Sequence, residues 1–156
     1  MTDTMPQAGQ PAPDFTAVTE SGTPITLSDY RGKWVVLYFY PKDNTPGCTK
    51  EACSLRDSHG ALADANAVVL GVSTDTAASH QKFISKFGLP FTLIADTDKA
   101  VSTLYGVYGE KSLYGKSFLG IKRTTFVIDP DGIIRKMFTK VNVSQHGDEV
   151  LAVIRG

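Results

Sequence analysis

The two cysteines of this 156-residue chain lie five positions apart, in the stretch YFYPKDNTPGCTKEAC. Cys48 comes directly after Thr45-Pro46-Gly47, and Cys53 follows within the same short segment. Two thiols this close in sequence could form a disulfide, bind a metal ion, or act as nucleophiles in redox chemistry. The residues around Cys48 and the geometry of the segment that carries both thiols decide which of these functions is favoured.

Cys48 is expected at the start of a helix. Thr45 is a favourable N-cap and Pro46 suits the first helical position, which makes Cys48 the third helical residue. Unpaired N–H groups and the helix dipole would both stabilise its thiolate, the reactive form. The leaving group needs donors as well, for which the Thr45 hydroxyl and the N–H groups of Gly47 and Cys48 are candidates. A helical cysteine is often only a small hydrophobe, so its position alone leaves a structural role open.

The spacing of the thiols disfavours a permanent disulfide. On an intact helix the Cα atoms of Cys48 and Cys53 would lie roughly 8.6 Å apart, whereas a disulfide needs about 4.4–6.8 Å. A bond therefore requires the first one or two helical turns to unwind. This geometry favours a redox switch, in which oxidation of Cys48 destabilises the turn and Cys53 then condenses with it. It predicts faster amide exchange around residues 46–56 in the oxidised form.

Other cysteine chemistries fit the sequence less well. The pair is not Cys-x-x-Cys, so a thioredoxin-type dithiol is disfavoured. A zinc site would need two more ligands, and the three histidines, His59, His80 and His146, show no ligand spacing. We therefore expect no metal site.

Composition and charge are those of an ordinary globular protein. Sixteen basic and sixteen acidic residues cancel, so no overall attraction to nucleic acid or to an anionic membrane is expected. The first residues, MTDTMPQAGQPAPDF, do not resemble a signal peptide, and the longest apolar run, Trp34–Tyr40, is too short to span a membrane. We expect one domain over residues 1–156, with 1–13 as a loosely ordered lead-in, in a reducing cytoplasm.

The pattern of apolar residues predicts an α/β fold with a layered sheet. Strands are expected at KWVVLYFY, AVVLGVS and FTLIAD, each followed by a helix. RTTFVI and IIRKMF flank DPDG as a hairpin, FTAV and PITL form another near the N-terminus, and SQHGDEVLAVIRG closes the chain as a helix. Gly60 is the expected end or interruption of the helix that carries Cys48, and residues 106–122 are expected to be a long loop.

The stretch around Cys48 resembles a known family. PKDNTPGC fits the peroxiredoxin pattern Pro-x-x-x-Thr-x-x-Cys through Pro41, Thr45 and Cys48. The longer stretches APDFTAVTESGTPITLSDYRGKWVVLYFYPKD and YGEKSLYGKSFLGIKRTTFVIDPDGIIRK extend the likeness over nearly the whole chain. They resemble the peroxiredoxin Q, or bacterioferritin comigratory protein, branch. The resemblance implies a thioredoxin-like fold, with a mixed sheet flanked by helices and an N-terminal β-hairpin extension, and an antioxidant thiol peroxidase that uses no cofactor.

The resemblance also implies a role for individual residues. Cys48 would be the peroxidatic cysteine, which attacks the O–O bond of a peroxide. Thr45 would hydrogen-bond the peroxide and the thiolate, with the Gly47 N–H beside them, and Pro41 would shield the sulfur from water. Arg123, which opens RTTFVID, would hold the thiolate and the peroxide oxygen together. From spacing alone, Arg123 would pass for a solvated surface residue.

The same branch implies how the oxidised cysteine is recycled. Cys53 would be the resolving cysteine and would close an intramolecular disulfide with Cys48. Thioredoxin or a similar dithiol would then reduce this disulfide. Because one chain holds both thiols, a monomer is expected to suffice. Glu51 is expected to be a solvated helix residue, with a hydrogen bond to Arg123 as the alternative.

Two other functions remain open at this level. A thioredoxin-fold disulfide exchanger would react with protein disulfides and show no special rate with peroxide. A binding or chaperone-like module would keep its function after Cys48→Ser. The apolar residues of the 106–122 segment either shape an entrance for organic hydroperoxides or serve packing alone; they are Tyr108, Tyr114, Phe118 and Leu119.

Overall fold

Strands and helices follow one another largely in the predicted order. The computed structural model describes residues 5–156, except for the side chain of Leu113. The strands are β1 (Thr16–Val18), β2 (Pro24–Thr26), β3 (Trp34–Phe39), β4 (Ala67–Ser73), β5 (Thr92–Ala95), β6 (Tyr108–Leu113), β7 (Lys116–Ile121), β8 (Thr124–Ile128) and β9 (Ile134–Phe138). The α-helices are α1 (Pro46–Asp57), α2 (His59–Asp64), α3 (Ala77–Phe87), α4 (Ala100–Leu104) and α5 (His146–Arg155), and a 3-10 helix covers Leu27–Tyr30.

Five strands form the central mixed sheet, in the order β5-β4-β3-β8-β9. β3 pairs in parallel with β4, and β4 pairs in parallel with β5. On its other side β3 pairs antiparallel with β8, which pairs antiparallel with β9 through the DPDG turn. This arrangement confirms the predicted thioredoxin-like fold, and the antiparallel pair β1–β2 confirms the N-terminal hairpin.

The apolar run of β3 is continuous because both faces of the sheet are covered. Val36 and Tyr38 point to one face, where they pack with residues of α1, α2, α3 and α5. Val35, Leu37 and Phe39 point to the other face, where residues of α4 and the N-terminal segment complete the core. Each fully buried side chain of this size stabilises the fold by about 1.5–3 kcal/mol. The strand that leads to Cys48 is therefore a rigid base.

The segment 106–122 is not the loop that the sequence predicted. β6 and β7 form an antiparallel hairpin in which Leu113 pairs with Lys116 across a two-residue turn. The turn residues Tyr114 and Gly115 both have positive φ, 52° and 78°, as a type I′ turn requires. Tyrosine is uncommon in that conformation, so the sequence carried no clear turn signal. Phe118 and Leu119 of β7 are exposed.

Two local boundaries also differ from expectation. The helix that carries Cys48 breaks at Ser58 rather than at Gly60, which lies inside α2. Residues 9–12 are tied to the sheet: the Gly9 N–H donates to the Ile134 carbonyl at 2.7 Å, and Ala12 is buried. Residues 1–4 of the expected lead-in lie outside the described part of the chain. Within the described part, no helix has the length and apolar character to cross a membrane.

Helix α5 packs against α1 at Gly147. The Gly147 N–H donates to Ser54 Oγ at 2.9 Å. A Cβ atom at this position would lie 2.6 Å from the Ser54 carbonyl oxygen, which is closer than real Cβ contacts. The close approach explains why a glycine, a weak helix former, is found in the first turn of α5. It also means that α5 supports the helix that holds both thiols.

Replacing Gly147 by Ala is expected to destabilise the protein by about 2 kcal/mol, because the added methyl group must push α5 away from α1. Urea unfolding measures the effect. Gly60→Ala is the matched control, since a Cβ at Gly60 meets nothing within 4 Å and the position is helical. The control is expected to keep or slightly raise stability. Equal stability of Gly147→Ala and wild type would contradict close packing at this point.

Candidate active site

Cys48 lies where the sequence placed it, in the first turn of α1. Thr45 occupies the N-cap position with extended backbone angles, and its carbonyl accepts the first helical hydrogen bond from the Thr49 N–H at 2.8 Å. Cys48 is the third helical residue and only 1% exposed. The backbone N–H groups of Gly47 and Cys48 precede that first helical bond, so the positive end of the helix lies beside the sulfur.

The buried face of α1 carries Cys48, Glu51, Ala52 and Leu55. These positions follow the i, i+3, i+4, i+7 spacing of an amphipathic helix, and the stripe faces the sheet. Cys53 lies off the stripe and is partly exposed. Both cysteines are free thiols. The structure therefore describes the reduced protein with α1 intact.

Arg123 connects Cys48 to Glu51. It lies directly before β8, far from α1 in sequence, and its side chain is 23% exposed. Nη2 donates to Cys48 Sγ at 3.3 Å, and Nη1 donates to Glu51 Oε1 at 2.5 Å. The guanidinium is thus fixed between the sulfur and a buried carboxylate. The expectation that Glu51 is solvated is wrong, because Glu51 lies one turn after Cys48 on the buried stripe and is fully inaccessible.

The carboxyl group of Glu51 is in an unusual environment. Burial raises its pKa to about 7, against the opposing effect of Arg123. Burial alone would lower the pKa of Arg123, but Glu51 and Cys48 raise it, so the guanidinium stays charged. Glu51 Oε2 has no hydrogen-bond partner among residues 5–156. It lies 3.8 Å from Nε2 of His146.

His146 closes the buried side of the site. Its Nε2 lies 2.8 Å from Thr125 Oγ1, and its Nδ1 lies 2.8 Å from Glu149 Oε1. Burial lowers the pKa of His146, although Glu149 opposes this effect. A neutral ring is thereby favoured next to the Glu51 carboxyl group. Residue types and spacing had given His146 no role, because the three histidines show no ligand spacing.

The remaining predicted residues surround the helix start. A Cβ atom on Gly47 would lie 3.1 Å from Arg123 Nη2, so this glycine lets the guanidinium approach the helix. Thr45 Oγ1 donates to the Lys42 carbonyl at 2.9 Å and makes no capping bond to α1. Pro41 is half-buried between β3 and α1. The roles of Thr45 and Pro41 toward peroxide stay predictions.

Replacing Glu51 by Gln is expected to remove part of the pH dependence of stability. The folded protein binds the Glu51 proton more tightly than the unfolded chain, since the pKa rises from 4.5 to about 7. This stabilisation is complete below the unfolded pKa and is lost as the pH rises through the folded pKa. Between pH 5 and 8, wild type should lose on the order of 2 kcal/mol more stability than Glu51→Gln.

Denaturant unfolding at several pH values measures this difference. The control is Glu110→Gln, the same substitution at an exposed site, which should parallel wild type at every pH. Parallel stability curves for wild type and Glu51→Gln would show that Glu51 is ionised throughout this range.

Comparison with known families agrees with the geometry of the site. A family model described as the AhpC/TSA family matches residues 8–137. The chain belongs to the AhpC/TSA family. It is similar to the putative peroxiredoxin Bcp of Coxiella burnetii, with 50% identity over 145 residues that cover 93% of this chain and 96% of the relative. Peroxiredoxin Bcp of Bacillus subtilis is 45% identical over 149 residues, 96% of this chain and 95% of the relative.

A solved structure extends the comparison to the fold. Bacterioferritin comigratory protein of Xanthomonas campestris, described in a study of its alkyl peroxide reduction activity, matches with a TM-score of 0.84 and 40% identity. The match covers 90% of each chain. Within the AhpC/TSA family the chain is therefore a peroxiredoxin of the Bcp, or peroxiredoxin Q, type. This confirms the predicted family and enzyme class.

One buried contact beside the site was not predicted from the sequence. The loop between β3 and α1 holds Asp43, which is buried and contacts His80 of α3. Asp43 lies within the quoted motif, between Pro41 and Thr45. A charged residue in the motif, and a histidine on the α3 face that also carries Phe83, were the available signals.

Proposed function

We propose that the chain reduces hydroperoxides, including alkyl hydroperoxides, with Cys48 as the attacking nucleophile. The observation that carries the proposal is the contact of the Arg123 guanidinium with Cys48 Sγ at 3.3 Å. Arg123 is in turn held by the buried Glu51 carboxylate. The alkyl peroxide activity named for the Xanthomonas campestris protein supports this substrate class.

The proposed attack oxidises sulfur by two electrons. The Cys48 thiolate attacks one peroxide oxygen, an S–O bond forms and the O–O bond breaks. The departing alkoxide or hydroxide takes up a proton and leaves as alcohol or water. Arg123 and the N–H groups of Gly47 and Cys48 stabilise the negative charge on the oxygens, while Thr45 hydrogen-bonds the peroxide and Pro41 limits access of water.

We further propose that Cys53 completes the cycle. Its thiol attacks the Cys48 sulfenic acid, an S–S bond forms and water leaves. This step requires part of α1 to unwind, because the intact helix separates the two residues too far. Thioredoxin or a similar dithiol then reduces the disulfide by exchange. Since one chain supplies both thiols, we propose that a monomer suffices, in a reducing cytoplasm.

Mass spectrometry after one equivalent of hydrogen peroxide or an alkyl hydroperoxide tests the cycle. Wild type should lose two hydrogens as an internal Cys48–Cys53 disulfide. Cys53→Ser should stop at sulfenic acid or oxidise further, and Cys48→Ser should stay unmodified on the same timescale. Oxidation of Cys48→Ser as fast as wild type would overturn the assignment of the nucleophile.

A further inference from the structure

A buried ion pair lies behind the loop that leads to Cys48. His80 of α3 is fully buried. Its Nδ1 lies 2.7 Å from Asp43 Oδ2, and its Nε2 lies 2.9 Å from the Ile94 carbonyl oxygen. A backbone carbonyl can only accept a hydrogen bond, and an ionised carboxylate likewise only accepts. The ring must therefore carry a proton on both nitrogens, which makes the contact a pair of His80 imidazolium and Asp43 carboxylate.

The carboxylate of Asp43 receives further donors. Oδ1 accepts from the Tyr40 hydroxyl at 2.6 Å, and Oδ2 accepts from Ser79 Oγ at 2.8 Å. Together with His80 Nδ1, these groups place three donors on one carboxylate. The facing groups are thus two hydroxyls and one imidazolium, with Asp75 adjacent. This arrangement compensates the cost of burying the charge.

The backbone of Asp43 is fixed as well. Its N–H donates to Asp75 Oδ2 at 2.8 Å, and the same oxygen accepts from Ser73 Oγ at 2.7 Å. Ser73 ends β4, and Asp75 precedes α3. The loop between β3 and α1 is therefore tied, by side chain and by backbone, to the neighbouring strand and helix.

The chain becomes exposed directly after Asp43. Asn44 is exposed and has a positive φ of 57°, which is uncommon for a residue other than glycine. Thr45 follows as the N-cap, and Cys48 is only three residues further. Asp43 is thus the last buried residue before the turn that carries the sulfur.

We propose that the Asp43–His80 ion pair is a positioning device for Cys48: it fixes the start of α1 against the sheet and marks the point where unwinding of α1 stops. The first part concerns the geometry of the reduced protein. The second part rests on the proposed function, because it concerns the form in which Cys53 reaches Cys48. His80 and Asp43 do not touch the sulfur, and they act through the loop.

The pKa of His80 agrees with the imidazolium that the hydrogen bonds indicate. Burial by itself lowers its pKa, but the hydrogen bond and the charge of Asp43 outweigh burial and raise the pKa above its ordinary value. One oxygen each of Asp43 and Asp75 and a ring nitrogen of His80 also lie within 4.8 Å of one another, close enough to bind a cation together. A metal would need an unprotonated ring nitrogen, whereas both ring nitrogens of His80 already face acceptors.

The first test needs no peroxide and uses the wild-type protein. Nitrogen-15 NMR of the reduced protein at pH 7 should show an imidazolium at His80, with both ring nitrogens protonated. The Asp43 amide should stay protected from exchange in the reduced form and in the disulfide form alike. A neutral His80 ring, or loss of Asp43 protection on disulfide formation, would overturn the proposal.

The second test uses the variants Asp43→Asn and His80→Asn, with Asp96→Asn as the matched control. Asp96 is an equally buried carboxylate, accepts from Ser102 Oγ at 2.6 Å, and belongs to the β5–α4 junction away from Cys48. Rapid-mixing measurements should give peroxide attack roughly 10- to 100-fold slower in Asp43→Asn and in His80→Asn, because the sulfur of Cys48 is misplaced. Condensation of the sulfenic acid with Cys53 should not slow.

The control should react with peroxide at the wild-type rate, even if it is equally destabilised. Equal slowing in Asp96→Asn would mean that general destabilisation causes the effect, and it would overturn the proposal. Wild-type rates of peroxide attack in both Asp43→Asn and His80→Asn would also overturn it. If Asp43→Asn or His80→Asn does not fold, the NMR and exchange results on wild type decide whether the proposal holds. If wild type does not reduce peroxide, the proposed function fails. The protonation of the His80 ring and the exchange protection of the Asp43 amide still test the role of the ion pair in that case.

Discussion

Replacing Arg123 by Ala is expected to slow the reaction of Cys48 with peroxide by roughly 100- to 1,000-fold, the usual cost of removing one preorganised donor at a site of developing charge. Arg123 Nη2 is the side-chain donor on Cys48 Sγ, and it is held in place by Glu51. Without it, the thiolate and the peroxide oxygens lose a fixed positive charge. Rapid mixing of reduced protein with peroxide, followed by mass spectrometry of Cys48, measures the rate constant.

Two further variants make this test specific. Arg123→Lys keeps the charge, but a single ammonium lacks the planar fork that contacts sulfur and carboxylate together, so at least a tenfold loss is expected. Arg135→Ala is the control: Arg135 also pairs with a buried carboxylate, Asp129 at 2.6 Å, but lies on β9. Wild-type rates are expected for this control. An Arg123→Ala variant that attacks peroxide as fast as wild type would remove Arg123 from the mechanism.

Disulfide formation is expected to unwind much of α1. The reduced protein has an unbroken helix over Pro46–Asp57, and its geometry keeps the Cα atoms of Cys48 and Cys53 roughly 8.6 Å apart, beyond the reach of a disulfide. Amides of residues 49–56, which are hydrogen-bonded within α1, should therefore exchange at least about 100-fold faster in the disulfide form, since local unfolding removes most of their protection. Hydrogen exchange with mass spectrometry or NMR measures this change.

Helix α3 serves as the internal reference for that experiment. Its amides should lose far less protection than those of α1, because α3 carries neither thiol and also packs on the sheet through Phe83, although its end accepts a hydrogen bond from Arg56 of α1 at the Phe87 carbonyl. Cys53→Ser, treated with the same oxidant, should show a much smaller increase in exchange over residues 49–56, because no disulfide holds the unwound form. Unchanged exchange throughout α1 after disulfide formation would exclude unwinding as the route by which the thiols meet.

The elements of the fold were largely predictable because their signals are local. The apolar run of β3, the Thr45-Pro46 helix start and the DPDG turn each depend on neighbouring residues, and all three are found in the structure. The hairpin β6–β7 was missed for an equally local reason. Its turn uses Tyr114 in a conformation that tyrosine rarely adopts.

Two partnerships in the site could not be predicted from residue types and spacing. Arg123 and Glu51 lie 72 positions apart, and Asp43 and His80 lie 37 apart. Each charged residue would ordinarily be solvated, and only a partner supplied by another element makes its burial tolerable. For Arg123, family resemblance supplied an expectation that spacing did not.

The sequence by itself determined the family, the central strand, and the place of Cys48 in the first turn of a helix five residues before Cys53. The family follows from the resemblance of the motif around Cys48, whereas the strand and the helix start follow from periodicity and capping, which act within a few residues. The tertiary structure decided what surrounds the sulfur: it brings the guanidinium of Arg123, expected from the resemblance alone, against the buried carboxyl group of Glu51, and it forms the Asp43–His80 ion pair. The physical reason is that burial and charge compensation depend on distant segments that meet only when the sheet and its helices have packed.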